Sequence, residues 1–514
     1  MQSVEKSCCI ISVHSLDTGK RLSCSGTVIS RTGIVVCSGV LFRSLEKENS
    51  FSSNKSFILP GSSRRNLDIR VEYHEPNVGM NECSAEACVR ERPVSSHNAE
   101  LLMIVNCPEF RSAFRNLFRE TEKWSLIDSE DSEARNFDVL SWFAVLTVPH
   151  WNGSNIIPHV TSGSLKKGCT VIACGSPFGS QCPDLFMSTL SKGIVSNLCG
   201  EDNALILTDA RCLPGTEGGG LFVKGGRHVY LVGLIVAPLC WKSSDWIGLS
   251  LVCSLHAILR NIKHSALGNQ AIQKVVGNIS SNEHQLGPQP SESLVKNPTV
   301  ALVESGQFWG SGILYTHRLV LTCRHVVDGE SVVKVKFSVD GRFHTMMGDV
   351  VFSTKASSPY DIAVVQLRTD PPYESVPQFA SFFQPGEDVI VIGYGVFGGL
   401  CGPSVSSGIL SRVLTNKSRP VMLQTTCAVQ AGASGGAVVR ADTGELLGLV
   451  SSNTRNFTAE VTYPHLNFSI PVTVLEPLLK CFAVTGDTEV FEELNRVDKG
   501  VRTIWRLQNT QSKL

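Results

Sequence analysis

The sequence predicts an all-β protein in which one architectural unit occurs twice in tandem, and three observations predict it. Hydrophobic residues make up 42% of the 514-residue chain and are broken up by 44 glycines, the composition of short apolar strands separated by many turns. Blocks of the first half recur in the second. Cys24-Ser25-Gly26-Thr27-Val28-Ile29-Ser30 aligns with Gly310-Ser311-Gly312-Ile313-Leu314-Tyr315-Thr316, Ser141-Trp142-Phe143-Ala144-Val145-Leu146 with Tyr360 to Val365, and Pro214 to Gly219 with Ala431 to Gly436. The offset from Trp142 to Asp361 nearly equals that from Glu217 to Ser434, and near-constant spacing across separate blocks favours a duplicated fold over chance. In the second half alone, a serine stands between glycines just after a strand-like run.

That serine lies in Gln430-Ala431-Gly432-Ala433-Ser434-Gly435-Gly436-Ala437, behind the apolar run Val421 to Thr426. A tight turn of small residues exposes a hydroxyl and lets backbone N–H groups face the atom it attacks. A serine hydroxyl is a weak nucleophile at neutral pH, so it needs a base, and the base needs a partner that fixes its tautomer. His325 follows the strand-like Arg318 to Thr322, and Asp361 precedes another strand, Ile362 to Leu367. Singly, each has a commoner structural explanation: an exposed histidine, an aspartate in a turn, a glycine pair in a turn. Jointly their order, strand context and separation along the chain point to catalysis, with room for His325 and Asp361 on one six-stranded barrel and Ser434 on the next.

These blocks resemble the His, Asp and Ser blocks of HtrA-type and trypsin-like proteases, with Ala433 where Asn or Asp is usual. Leu466-Asn467-Phe468-Ser469-Ile470-Pro471 is similar to the strand that closes HtrA-type domains. The resemblance spans roughly residues 295–480. It implies two tandem chymotrypsin/trypsin-like double β-barrel units, the first degenerate and the second catalytic. It also implies a catalytic triad of His325, Asp361 and Ser434, with an oxyanion hole from the N–H groups of Gly432 and Ser434. The S1 specificity pocket would have its floor at Ala428 and a wall at Ser451. Alanine offers no countercharge to Arg or Lys, so a small neutral P1 residue, cysteine included, is expected.

Aligned with the second half, the first places Gly39 opposite His325, Trp142 opposite Asp361 and Glu217 opposite Ser434, and none of the three can do its counterpart's chemistry. Residues 1–265 are therefore expected to be a pseudo-protease domain with an insertion at about 43–135. A linker (266–298), a protease domain (299–480) and a tail (481–514) complete the expected organisation. Exposed polar insertions are preferred nicking sites, and Cys83 and Cys88 fall within this one.

The chain ends Ser512-Lys513-Leu514, a receptor-read peroxisomal address. A trypsin-like protease with this ending resembles the peroxisomal leader-peptide-processing proteases of animals and plants. The resemblance implies cleavage of leaders from imported matrix enzymes, including β-oxidation enzymes, commonly after cysteine. It further implies self-cleavage, for which Cys83 and Cys88 are candidate sites. The expected partners are protein substrates, the peroxisomal import receptor, and a second copy or the chain's own cleavage fragments. Alternatives are an HtrA-like quality-control protease and a non-catalytic peptide-binding scaffold; the segment that follows Lys480 is too short for a PDZ domain.

Charge is balanced at 46 basic and 46 acidic residues, so no basic field predicts nucleic-acid binding. No run approaches a membrane span of about 20 apolar residues, and Cys8 to Val13 is too short for a secretory core. Most of the 18 cysteines are expected to be free thiols in an intracellular protein, and their spacing suggests neither metal nor cofactor. Cys323 shares a strand end with His325 but lacks a glycine nest, which makes it a structural thiol. In a panel of peptides differing only at P1, cleavage after Cys or Ala should exceed cleavage after Arg or Lys by at least about 10-fold.

Overall fold

The computed structural model describes residues 2–45, 51, 55–60, 67–74, 94–118, 124–126, 137–149, 151, 157–178, 181–226, 228–238, 241–242, 245–267, 270, 272–273, 277, 279, 283–284, 299–339, 341–372, 377–456 and 461–506. They fall into two units: Met1–Cys240 with Leu249–Gln289, and Trp241–Gly248 with Pro290–Leu514.

In the first unit, two-residue strands aside, the leading sheet contains β1 (Cys8–Ser15), β2 (Arg21–Val28), β3 (Ile34–Ser38), β4 (Leu67–His74), β5 (Val94–Asn98), β6 (Glu100–Asn106) and β7 (Trp142–Thr147). Its order is β6-β7-β3-β2-β1-β4-β5, and only Ala99 separates β5 at one end from β6 near the other. Helix α1 (Pro108–Leu117) follows. The second sheet contains β8 (Thr170–Gly175), β9 (Thr189–Cys199), β10 (Leu205–Thr208), β11 (Gly220–Gly225), β12 (His228–Ala237) and β13 (Ser250–Ser254), followed by helix α2 (Leu255–Ala266). Its order is β11-β8-β9-β10-β13-β12, with β11 also paired to β12. Ile11, Val35, Ile104 and Leu146 fill the first barrel, and Val171, Ile206, Val232 and Val252 the second.

The second unit repeats this plan. One closed barrel has the order β14 (Val300–Ser305), β15 (Phe308–Thr316), β16 (Leu319–Thr322), β19 (Ala363–Leu367), β18 (Arg342–Ser353), β17 (Val332–Val339). The other has the order β20 (Asp388–Gly393), β21 (Ser404–Asn416), β22 (Arg419–Thr425), β25 (Val461–Pro471), β24 (Leu446–Asn456), β23 (Ala437–Arg440). Alternation drives closure: in β17, Val333, Val335 and Phe337 are buried while the residues between them face outward. The short helix α3 (Arg324–Val327) follows β16, and helix α4 (Val472–Thr485) follows β25.

Three boundaries differ from the sequence reading. The expected insertion at about 43–135 contains β4, β5 and β6, which are strands of the leading sheet itself, so it is not one extra block. Residues 481–506 are no loose tail: a 3-10 turn (Thr488–Asn495) and helix α5 (Lys499–Ile504) lie there, with Phe491, Leu494 and Trp505 buried. Trp241–Gly248 belongs to the second unit rather than to the expected first domain. Among the described residues no helix is long and apolar enough to cross a membrane, and all the described cysteines are free thiols. Phe337→Ala should empty the centre of the β14–β19 barrel and lower stability by about 3–5 kcal/mol in chemical denaturation.

Candidate active site

β16 is buried along its whole length and ends at Thr322, whose partner across the ladder is Ala363 of β19. Cys323 stays extended, the chain then makes the single helical turn α3, and Asp328 ends it in the left-handed conformation at φ 45°. This geometry sets His325 beside Asp361, two residues ahead of β19. The His325 backbone N–H donates to Asp361 Oδ1 at 3.1 Å, and His325 Nδ1 pairs with Oδ2 at 2.5 Å. Asp361 is fully buried, with the Arg324 guanidinium 3.6 Å from Oδ1. Since the carboxylate accepts from Nδ1–H, Nε2 carries the lone pair of the neutral ring, and it has no hydrogen-bond partner among the described residues.

Ser434 sits in the turn between β22 and β23, flanked by Gly432 (φ +85°) and Gly435 (φ +83°). Both glycines are obligatory. A Cβ on Gly435 would lie 2.0 Å from the Ser311 carbonyl oxygen, and one on Gly432 1.9 Å from Trp309 Cζ3. Strand β15 grips the turn: the Ser311 N–H donates to Ser434 O at 2.7 Å and Ser311 Oγ to Gly432 O at 2.8 Å. The N–H groups of Gly432 and Ser434 donate to no protein acceptor among the described residues. Ser434 Oγ rests 3.5 Å from the Ser451 carbonyl oxygen, a long contact. Ala428 is buried, its carbonyl accepting from Ser406 Oγ at 2.7 Å. The structure thus brings His325 and Asp361 into contact and Ser434 against Ser451, while the neighbour of Nε2 is left open.

The sequence reading missed a segment that packs against Gln430 and Ala428. Gln430 Nε2 donates to Ile247 O at 3.1 Å across 183 residues of chain. A Cβ on Gly248 would stand 3.3 Å from the Ala428 Cβ, and the Trp246 and His465 rings meet edge to face at 5.4 Å. Nothing in Trp246-Ile247-Gly248 signals this, because the contact is made only in the folded unit. Cys323 Sγ donates to Val450 O at 3.2 Å and lies within 4.8 Å of ligand-type atoms of both His325 and Asp361. Cys83, Cys88, Ser512, Lys513 and Leu514 lie outside the described residues.

The first unit carries the same turn with different chemistry. Ser25 Oγ donates to Gly215 O at 2.7 Å, as Ser311 does to Gly432, and Gly215 and Gly218 have φ +97° and +85°. Glu217 thus takes the place of Ser434. Its Oε2 accepts the Gly215 N–H at 2.7 Å, so its carboxylate occupies the amide corresponding to that of Gly432. Trp142 lies opposite Asp361, since Cys37 pairs with Ala144 as Thr322 pairs with Ala363. At the third position the register corrects the sequence. Gly26 pairs with Cys37 and Gly312 with Thr322, one residue more in the first hairpin, which sets Val40 rather than Gly39 opposite His325.

A double barrel with an imidazole–carboxylate pair on one half and a glycine-bracketed serine on the other defines a trypsin-like serine protease, and residues 310–449 match the trypsin-like peptidase domain family. Similarity extends well beyond that domain. The chain is 38% identical to the peroxisomal leader peptide-processing protease of Mus musculus, over 100% of this chain and 98% of that protein. It is 38% identical to the Homo sapiens protein of the same name, over 99% and 97%. Periplasmic serine endoprotease DegP of Escherichia coli (strain K12) is 29% identical over 33% of this chain and 34% of its own. The chain belongs to the peroxisomal leader peptide-processing protease family and is a peroxisomal protease.

Burial raises the Glu217 carboxyl above the ordinary carboxylate range, an effect only partly offset by hydrogen bonds from its own N–H and that of Gly215. The native state therefore keeps this proton to higher pH than the unfolded chain does. The stability it contributes is complete below the ordinary carboxylate range and is lost as pH rises through the raised value. Glu217→Gln keeps an acceptor for Gly215 without the charge. Its unfolding midpoint should gain on the wild type's as pH climbs from roughly 4 to 7.

Proposed function

We propose that this protein is a serine endopeptidase of the peroxisomal matrix that removes N-terminal targeting leaders from imported matrix enzymes, β-oxidation enzymes among them, and cleaves itself. The observation that carries the reading is the buried Asp361 carboxylate, which accepts both N–H groups of His325 and leaves Nε2 as the free base. Rotation of Ser434 about Cα–Cβ takes Oγ from Ser451 O to Nε2. Nε2 accepts the proton as Oγ bonds to the scissile carbonyl carbon. The C–N bond then breaks, the imidazolium returns its proton to the leaving amine, and water hydrolyses the acyl ester by the same relay. The N–H groups of Gly432 and Ser434 receive the oxyanion, and loss of one such donor costs about 3–4 kcal/mol.

Ala428 and Ser451 form S1, with Trp246–Gly248 closing its floor, a small apolar pocket suited to a cysteine side chain. Self-cleavage follows Cys83 or Cys88. Ser512-Lys513-Leu514 binds the import receptor. The degenerate unit serves in homodimerisation, in regulation, or in holding substrate or the chain's own fragments.

Mass spectrometry of peroxisomal protein N-termini, with wild type and with Ser434→Ala, tests the reading. Leader-bearing precursors and the uncut chain should accumulate with the variant, and kcat on a leader peptide should fall by roughly 10³- to 10⁶-fold. Unchanged processing with Ser434→Ala would overturn it, and broad digestion of casein by the wild type would favour quality control over single-site processing.

A further inference from the structure

The carboxylate of Asp361 is presented by the loop Thr354–Tyr360, and Lys355, Ser357, Ser358 and Tyr360 of that loop are held by Asp487–Trp505. The Lys355 N–H donates to Asn495 Oδ1 at 2.8 Å, Ser358 Oγ to Leu494 O at 2.7 Å, and Arg502 Nη1 to Ser357 O at 2.7 Å. The Tyr360 ring, next to Asp361 in the chain, meets the Trp505 ring edge to face at 5.8 Å. The Lys355 carbonyl also accepts from Arg324 Nη1 at 2.7 Å, and Arg324 is the residue whose guanidinium stands by Asp361.

The same segment is anchored on the other barrel. Trp505 Nε1 donates to Val421 O on β22 at 2.9 Å, and Asn416 Nδ2 at the end of β21 donates to Asp498 Oδ1 at 2.8 Å. Phe491 packs on Phe352 and Phe482, with ring centroids 5.3 and 5.2 Å away. Asp487 and Asp498 cap the two turns, accepting from the N–H groups of Glu489 and Val501. A strap stabilised in this way holds the loop that carries the carboxylate and, through Asp498 and Trp505, the barrel that carries the serine.

We propose that Asp487–Trp505 is a positioning strap that sets the distance between the His325–Asp361 pair and Ser434, with Asn495, Arg502 and Trp505 as positioning residues. The proposal rests on the triad reading above. Proton transfer from Ser434 to His325 crosses the gap between the two barrels, and that gap is fixed by whatever ties the barrels together at this end. None of the strap residues faces the S1 floor, so the strap acts on the chemical step and not on substrate binding.

The test is steady-state kinetics of the full chain on a leader peptide, with unfolding midpoints measured alongside, for Trp505→Ala, the pair Asn495→Ala/Arg502→Ala, and Arg502→Lys. In the first two, kcat should fall about 10- to 100-fold, the cost of ångström-scale misplacement, while KM stays within about 2-fold. Arg502→Lys, which keeps a donor for Ser357 O, should restore most of kcat relative to the neutral variant. Should Trp505→Ala fail to fold, the pair carries the test, because Arg502 is exposed and Asn495 only half-buried. A folded pair variant with wild-type kcat, or one whose loss lies in KM, overturns the proposal. Ser434→Ala run beside them separates the two failures: if it is inactive while strap variants are normal, only the strap reading falls.

Discussion

The hydroxyl and N–H of Ser311 are the interaction on which the rest of the catalytic unit depends. From β15 of one barrel they reach the carbonyl oxygens of Gly432 and Ser434 in the other, and Ser311 Oγ also accepts the Tyr394 N–H at 2.7 Å. Thr322 Oγ1 donates to the Ser311 carbonyl at 2.7 Å, which ties the same residue to the end of β16, three residues before His325. One buried serine thus connects the end of the base's strand with the nucleophile's turn. The network is fully satisfied and lies in a low-dielectric interior, where such bonds are strong and any unpaired member is costly. Glycine at 435 follows from it, because the Ser311 carbonyl already fills the space a side chain would need.

The first unit shows what this device does without the chemistry. Ser25 makes the same bond to Gly215, and the Ser176 N–H donates to Ser25 Oγ at 2.7 Å, matching the bond from Tyr394. The scaffold that holds a reactive turn is complete there, yet the turn bears Glu217 and the position opposite Asp361 bears Trp142, nearly fully buried in the barrel core. An amide aimed at developing negative charge is expensive to leave unpaired once buried. Glu217 resolves the problem by bringing its own carboxylate to it. In the degenerate unit the Glu217 carboxylate thus takes up the Gly215 amide of this turn.

How much of this was legible in the sequence depends on the range of the interaction. The serine turn, the His and Asp blocks and the closing strand are local patterns, and the duplicated blocks at Ser25 and Ser311 marked the common scaffold before any coordinates. What sequence could not supply was register: one extra residue in the β2–β3 hairpin moves Val40 into the place expected for Gly39, and only strand pairing reveals it. The supposed insertion misled for a similar reason. Its polar stretches mask β4, β5 and β6, whose pattern is short and interrupted at Ala99. The floor contact of Ile247 with Gln430 joins residues 183 positions apart and has no local signature.

The C-terminal segment is the most instructive case. Asp487 to Arg506 is mixed in charge, and the sequence reading places it within the tail that follows the protease domain. Its buried residues, Phe491, Leu494, Val501 and Trp505, fall as two pairs, three and four residues apart, in two elements too short for periodicity to find them. A trypsin-like centre split across two barrels is only as well defined as the joints between them. Ser311 supplies the joint beneath the serine, and the proposed strap would supply one behind the carboxylate. Two joints constrain rotation of the barrels as well as their separation, which a single hinge at Ser311 could not do. Attack on a carbonyl carbon depends on both distance and angle.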